Sequence, residues 1–112
     1  MQKVIVGLVV AAALGGAATP APATGLSMNE VALRAGASLE DCKAAGKAAI
    51  AQAGLRALPD SPLSVFGATA GDELVAIYCL PQRGIAIIAV AGSDNALTFP
   101  ILTRLRQLWS GG

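Results

Sequence analysis

The chain contains no histidine, the side chain that proteins use most often as a general base and as a metal ligand near neutral pH. Its absence excludes a Ser-His-Asp triad and a Cys-His nucleophile pair. Glycine pairs occur near both ends of the chain, but neither lies in the strand-loop-helix context of a phosphate-binding loop. We therefore predict no catalytic residues, no metal site and no cofactor.

Charged residues are also scarce, at 13% of the 112 residues, with eight basic and seven acidic side chains. The basic residues are spread along the sequence with acidic residues among them. Proteins that bind a phosphate backbone instead cluster their lysines and arginines. This charge pattern predicts a solvated surface and no nucleic-acid partner.

The first residues have the layout of a secretory signal peptide. Lys3 precedes a run of apolar side chains, which is followed by small residues that end in Ala-Pro-Ala. We place the cleavage after Ala23, and cleavage after Ala18 is an alternative. The predicted organisation is a signal peptide over residues 1–23 followed by a single domain over residues 24–112.

A membrane anchor is the alternative interpretation of the same segment. The apolar run 4–14 would cover only about half of a roughly 30 Å hydrocarbon core. No cysteine follows it closely enough to carry a lipid, since the first cysteine is Cys42. We therefore predict a periplasmic or secreted protein, with no stable membrane insertion after the signal peptide is cleaved.

Only two cysteines, Cys42 and Cys79, occur in the chain. A structural zinc site needs four ligands, and a thiol oxidoreductase needs a closely spaced pair. In a small exported protein, two cysteines normally form a disulfide, which we expect to stabilise the fold by roughly 4 kcal/mol. A redox role is the alternative, and thiol exchange without loss of the fold would indicate it.

The segment 39–53 has the pattern of a helix with a narrow buried face of small residues, which includes Cys42. Ser38 and Asp41 form a capping-box-like start, and Gly54 supplies a left-handed stop. These features predict the first helix.

A second helical pattern occupies the C-terminal part of the chain. Leucine and isoleucine recur there at helical spacing, but Pro100 interrupts the pattern. Proline is tolerated in the first turn of a helix and costs about 3 kcal/mol in its interior. We therefore predict a regular helix over residues 99–109, preceded by an irregular turn.

Strand patterns fill most of the remaining sequence, and two prolines mark the segment 57–62 as a loop. Short turns separate the last three predicted strands, which favours antiparallel hairpins. The predicted fold class is α+β, with a three- to four-stranded antiparallel sheet, two helices packed on it and the order β-α-β-β-β-α. The predicted strands cover residues 30–34, 63–68, 73–80 and 85–91.

One face of the predicted sheet is rich in apolar side chains. Alternation along the strand 73–80 puts Cys79 and Tyr78 on opposite faces, and the strand 85–91 is apolar on both. If both helices pack on the Cys79 face, the other face is an exposed apolar surface, which usually marks a partner or ligand site. Coverage by the N-terminal segment or by the last helix is the alternative. The candidate binding surface consists of Phe66, Tyr78, Leu80, Ile88 and Val90.

Three short sequences follow one another in these elements: Leu39-Glu-Asp-Cys42 opens the first helix, and Val65-Phe66-Gly67 and Ile77-Tyr78-Cys79 lie in strands. This order, with its final helix, resembles that of small uncharacterised exported bacterial α+β proteins with a cysteine pair that joins a helix to a strand. The resemblance covers most of the predicted domain. It implies the fold and an exported location, and it assigns no activity and no functional residue.

Together these inferences predict a small exported domain that acts as a non-catalytic binding or interaction module, with an envelope protein or a second copy of itself as partner. A small envelope enzyme that uses carboxylates or thiols is one alternative, and a purely structural envelope component is another. The adjacent acids Asp72 and Glu73 invite comparison with the carboxylate pairs of glycosidases. Their position in a turn, and that of Glu40 and Asp41 in a first helical turn, favours structural roles instead.

Overall fold

The structure, a computed structural model, describes residues 24–112, and the predicted signal peptide lies outside the described residues. The predicted α+β class is confirmed, with two helices on one antiparallel sheet. In chain order the elements are β1 (Gly25–Ala32), α1 (Leu39–Gln52), β2 (Arg56–Leu58), β3 (Ser64–Ala68), β4 (Leu74–Leu80), a 3-10 turn (Pro81–Arg83), β5 (Ile85–Gly92) and α2 (Asn95–Leu108).

The sheet has five strands, in the order β1-β5-β4-β3-β2, and not the predicted three to four. All neighbouring strands are antiparallel. The additional strand is β2, which lies partly in the segment predicted as a loop and pairs with β3. It is only three residues long and ends directly before Pro59, so it is too short to show an alternating pattern.

β1 lies at one edge of the sheet and begins earlier than the predicted strand 30–34. The positions that face the helices include polar residues. Ser27 is one of these, and its Oγ lies 2.9 Å from Oγ1 of Thr98 in α2. The Thr98 side chain is fully buried. Ser27 lies outside the predicted strand, because a polar residue at an inward position gives no apolar alternation from which the start of β1 could be predicted.

α1 begins at Leu39, as the sequence predicts, and ends at Gln52, two residues before Gly54. The Ser38 Oγ accepts a hydrogen bond of 3.0 Å from the Asp41 N–H, and the Asp41 carboxylate accepts one of 3.0 Å from the Ser38 N–H. Gly54 has a φ of +76°, which glycine adopts without strain. The buried face, which lies close to the sheet because its side chains are small, consists of Cys42, Ala45, Gly46, Ala49 and Ile50.

The predicted disulfide between Cys42 and Cys79 is confirmed. It joins the N-terminal part of α1 to β4, the central strand of the sheet. Both cysteines are buried, and their Cα atoms are 6.0 Å apart, which is ordinary for a disulfide. The bond therefore fixes the sheet face that α1 covers.

α2 begins at Asn95, before the predicted start at Phe99. Asp94 caps the helix, because its carboxylate accepts a hydrogen bond of 3.1 Å from a backbone N–H of the first turn. Pro100 consequently lies inside the helix. It has no N–H for the carbonyl of Ala96, but both residues are exposed, so water can bind that carbonyl. The predicted irregular turn is thus replaced by a capped helical turn.

Both helices pack on the same face of the sheet. α1 contacts β2, β3 and β4, and α2 contacts β1 and β5. Neither helix of the described residues is long and apolar enough to cross a membrane. The core between the helices and the sheet consists of Cys42, Ala49, Ile50, Val65, Val75, Ile77, Cys79, Ala86, Ile88, Val90, Leu102 and Leu105.

Candidate functional site

The sheet face that points away from the two helices, which we call the open face, is the candidate functional site. Side chains alternate along a strand, so every second residue of the sheet points away from the core. The open face is formed by Leu74, Ala76, Tyr78 and Leu80 of β4 and by the residues in register with them on the other four strands.

Several large apolar side chains of the open face are exposed to solvent. Leu26 and Met28 of β1 are 56% and 55% exposed, and Leu74 of β4 is 54% exposed. Tyr78 is 38% exposed on the central strand. Single exposed apolar residues are common on folded proteins, whereas a contiguous group of them usually marks an interaction site.

The structure divides the predicted binding surface between the two faces of the sheet. The residues on the open face are Phe66, Tyr78 and Leu80. Ile88 and Val90 lie on the other face, where Ile88 pairs with Ile77 and both are fully buried. The assignment of these two residues to the exposed surface is wrong.

The error has a simple physical cause. β5 is apolar on both faces, so its sequence does not indicate which residues point towards the helices. The register with β4 decides this, because Leu80 pairs with Ile85 and Tyr78 with Ile87. The short turn between the two strands was the available clue, since turn length fixes hairpin register. The residues of β5 on the open face are Ile85, Ile87, Ala89 and Ala91.

Charge on the open face is confined to the two edge strands, as far as the described residues show. Glu30 lies on β1 and Arg56 on β2, at opposite edges of the sheet. The three strands between them present apolar side chains, apart from Ser64 and the hydroxyl of Tyr78. Such a surface gains free energy by contact with another apolar surface, at about 25 cal/mol per Å² of buried apolar area.

Large side chains flank small ones across the middle of the open face. Met28, Ala89, Ala76 and Phe66 lie level with one another on four successive strands. Neighbouring strands are about 4.8 Å apart, so the Cα atoms of Met28 and Phe66 are about 14 Å apart. The two alanines between them form a shallow depression.

A groove of about 640 Å³ lies between α2 and β1. Its lining includes Glu30, Arg106 and Trp109. The Nε1 of Trp109 donates a hydrogen bond of 2.8 Å to the carbonyl of Ala32, which attaches the end of α2 to the end of β1. The groove is widely open to solvent, so it lacks the enclosure that small-molecule sites have.

A smaller cleft of about 300 Å³ lies between α1 and β2, and its lining is mostly apolar. One carboxylate oxygen of Asp60 lies 2.8 Å from Nζ of Lys43 and 3.4 Å from Nζ of Lys47. Hydrogen bonds from Lys43 and then from Lys47 lower the pKa of Asp60 to about 2. The charged groups beside the cleft are therefore engaged with one another.

Two of the four acidic residues singled out by the sequence, Asp41 and Glu73, have structural partners. The pKa of Asp41 is lowered, chiefly by the hydrogen bond from the backbone N–H of Ser38. Glu73 accepts a hydrogen bond of 2.7 Å from Oγ1 of Thr69, across the turn between β3 and β4. Within residues 24–112, no three side chains of the metal-binding types are grouped to hold an ion.

Comparison with protein-family models, curated proteins and solved structures finds no match to this chain. The candidate site is therefore defined by its geometry and by the chemistry of its side chains. These describe an apolar surface on a five-stranded sheet, with its charges on the edge strands.

Proposed function

We propose that this protein is an exported, disulfide-stapled binding module, and that the open face is the surface with which it binds a protein partner. The observation that carries the proposal is the exposure of Leu26, Met28 and Leu74 on a sheet face without a helix. In this proposal the partner is another protein of the envelope or a second copy of the chain.

The size of the open face supports this proposal. The five strands are about 4.8 Å apart, and their outward residues, two on β2 and three or four on each of the others, are about 6.7 Å apart along a strand. The face therefore spans roughly 20 Å by 25 Å, or about 500 Å². Monomeric proteins rarely expose contiguous apolar patches larger than a few hundred Å² unless the patch is functional. Binding of a partner would remove this surface from water.

The rigidity of the sheet also supports a binding role. The disulfide and the core on the helix side hold the strands in one arrangement, so the open face is preorganised. A preorganised surface loses little conformational entropy on binding. The same disulfide supports export, because disulfides persist in oxidising compartments.

Site-specific photo-crosslinking in the exporting host tests the binding role. A photoreactive amino acid replaces Tyr78 on the open face, and, as a matched control, Arg104 on the exposed side of α2. We expect a defined crosslinked product from position 78 and none from position 104. Equal products from the two positions, or none from either, would contradict the proposal.

Intact mass spectrometry of the protein purified from that host tests the export. We expect the mass of residues 24–112 minus two hydrogen atoms, one lost from each cysteine when the disulfide forms. A product with the N-terminal segment attached and both thiols free would contradict export.

A further inference from the structure

We infer that the occupant of the open face is a second copy of this chain, packed face to face in a two-fold symmetric sandwich of two sheets. This inference rests on the proposed function of the open face as a binding surface. The arguments for a second copy are the area of the face and its steric pattern.

The area is sufficient for a specific dimer. Each open face has a footprint of about 500 Å², so two faces in contact remove roughly 1,000 Å² or more of accessible surface from water in total. Specific protein interfaces bury upwards of about 1,000 Å², and homodimer interfaces are the more apolar class. An apolar face whose charges lie only on its two edge strands matches that class.

A two-fold axis parallel to β4 fits the order of the strands. β4 is the central strand, so this rotation places β4 over its own copy, β5 over the partner copy's β3 and β1 over the partner copy's β2. Facing sheets in such sandwiches are about 10 Å apart, with strands about 30° from parallel. Residues level with one another in register then meet across the interface.

Phe66 and Ala89, which meet under this rotation, are complementary in size. Phe66 of β3 and Ala89 of β5 lie level with each other on either side of β4, so each Phe66 faces the copy's alanine. Large-to-small packing of this kind produces interdigitated cores.

Sedimentation equilibrium of the oxidised protein, as purified from the exporting host, is the first test. We expect a dimer at about 100 µM, a concentration that would saturate a micromolar interface. Leu74→Asp and Ile87→Asp, on β4 and β5 of the open face, should each weaken the dimer at least tenfold or so while circular dichroism stays unchanged. Arg104→Asp on α2 should leave the dimer intact.

Thiol crosslinking tests the geometry. The two native cysteines form a disulfide, so a cysteine introduced at Tyr78 or at Leu97 provides the only free thiol. Two copies of Tyr78→Cys lie beside the two-fold axis and should be joined by a linker of about 10 Å. Leu97→Cys, on the exposed surface of α2, should not be joined.

A monomer at this concentration, or a dimer crosslinked through Leu97→Cys and not through Tyr78→Cys, would overturn the inference. Neither result contradicts the proposed function, which the photo-crosslinking experiment tests separately. A photo-crosslink from position 78 to a different protein would support a binding role without a second copy. A monomer that also gives no photo-crosslink would overturn both.

Discussion

Gly46 of α1 lies so close to Val65 of β3 that a methyl group added to the glycine would be 2.6 Å from Cγ2 of Val65. This close approach explains a glycine in the middle of a helix, where it costs about 1 kcal/mol relative to alanine. The narrow face of α1 is therefore a requirement of its packing against the sheet.

Gly46→Ala should destabilise the protein. The gain in helix propensity is about 1 kcal/mol, but overpacking a close contact costs about 1–3 kcal/mol, so we expect a net loss. Urea-induced unfolding measures the change. Adding Val65→Ala to Gly46→Ala should cost less than the sum of the two single substitutions, because it removes the clashing methyl group; strict additivity would contradict the contact.

Removal of the disulfide should lower the free energy of unfolding by about 2–4 kcal/mol. The bond between Cys42 and Cys79 closes a loop with a sequence separation of 37, so its loss gives the unfolded chain more freedom. Unfolding of Cys42→Ala/Cys79→Ala, compared with the parent protein, measures the effect. A reductant should destabilise the parent and leave the double variant unchanged, and an unaltered unfolding midpoint in the double variant would contradict the prediction.

Protonation of Asp60 should contribute to the loss of folding stability at low pH. Its pKa of about 2 in the folded protein is below its ordinary value of 3.8, because Lys43 and Lys47 stabilise the carboxylate. The stabilisation is therefore present at neutral pH and is lost as the pH falls through about 4 towards 2. Thermal unfolding should show a smaller loss of stability in this range for Asp60→Asn.

Asp72→Asn is the matched control for Asp60→Asn, because Asp72 is also an exposed aspartate in a connecting segment. An equal effect of both substitutions on the loss of stability between about pH 4 and pH 2 would contradict a specific role for Asp60. High salt should also reduce the contribution of Asp60, since the side chain of Lys47 in one of its two ion pairs is exposed.

Ile87 and Ile88 provide the sharpest test of the two sheet faces. Ile88→Asp would bury an unpaired charge in the core and should prevent folding or cost more than about 4 kcal/mol. Ile87→Asp places the same side chain on the open face and should change the unfolding free energy of the monomer by about 1 kcal/mol or less. Denaturation in dilute solution distinguishes them, and equal effects would show that the faces are misassigned.

Local patterns were sufficient for much of this fold. The capping box of Ser38 and Asp41 and the left-handed Gly54 delimit α1 because these signals act within a few residues. The disulfide followed from the presence of only two cysteines. β4 was assigned correctly because Val75, Ile77 and Cys79 alternate with its outward residues.

The features that the sequence did not reveal depend on distant partners. The inward position of Ser27 in β1 depends on the contact between its hydroxyl and that of Thr98, which is 71 positions away in the chain. The direction in which Ile88 points depends on its register with β4, since β5 is apolar on both sides. Local periodicity contains no information about either relationship.

The chain contains one tyrosine and one tryptophan, and the fold separates them. Tyr78 lies on the open face, whereas Trp109 attaches the end of α2 to β1 through the carbonyl of Ala32. Each aromatic ring is therefore an intrinsic optical reporter for a different event. Trp109 emission reports the docking of α2, and Tyr78 absorbance reports binding at the open face. Neither measurement needs a label.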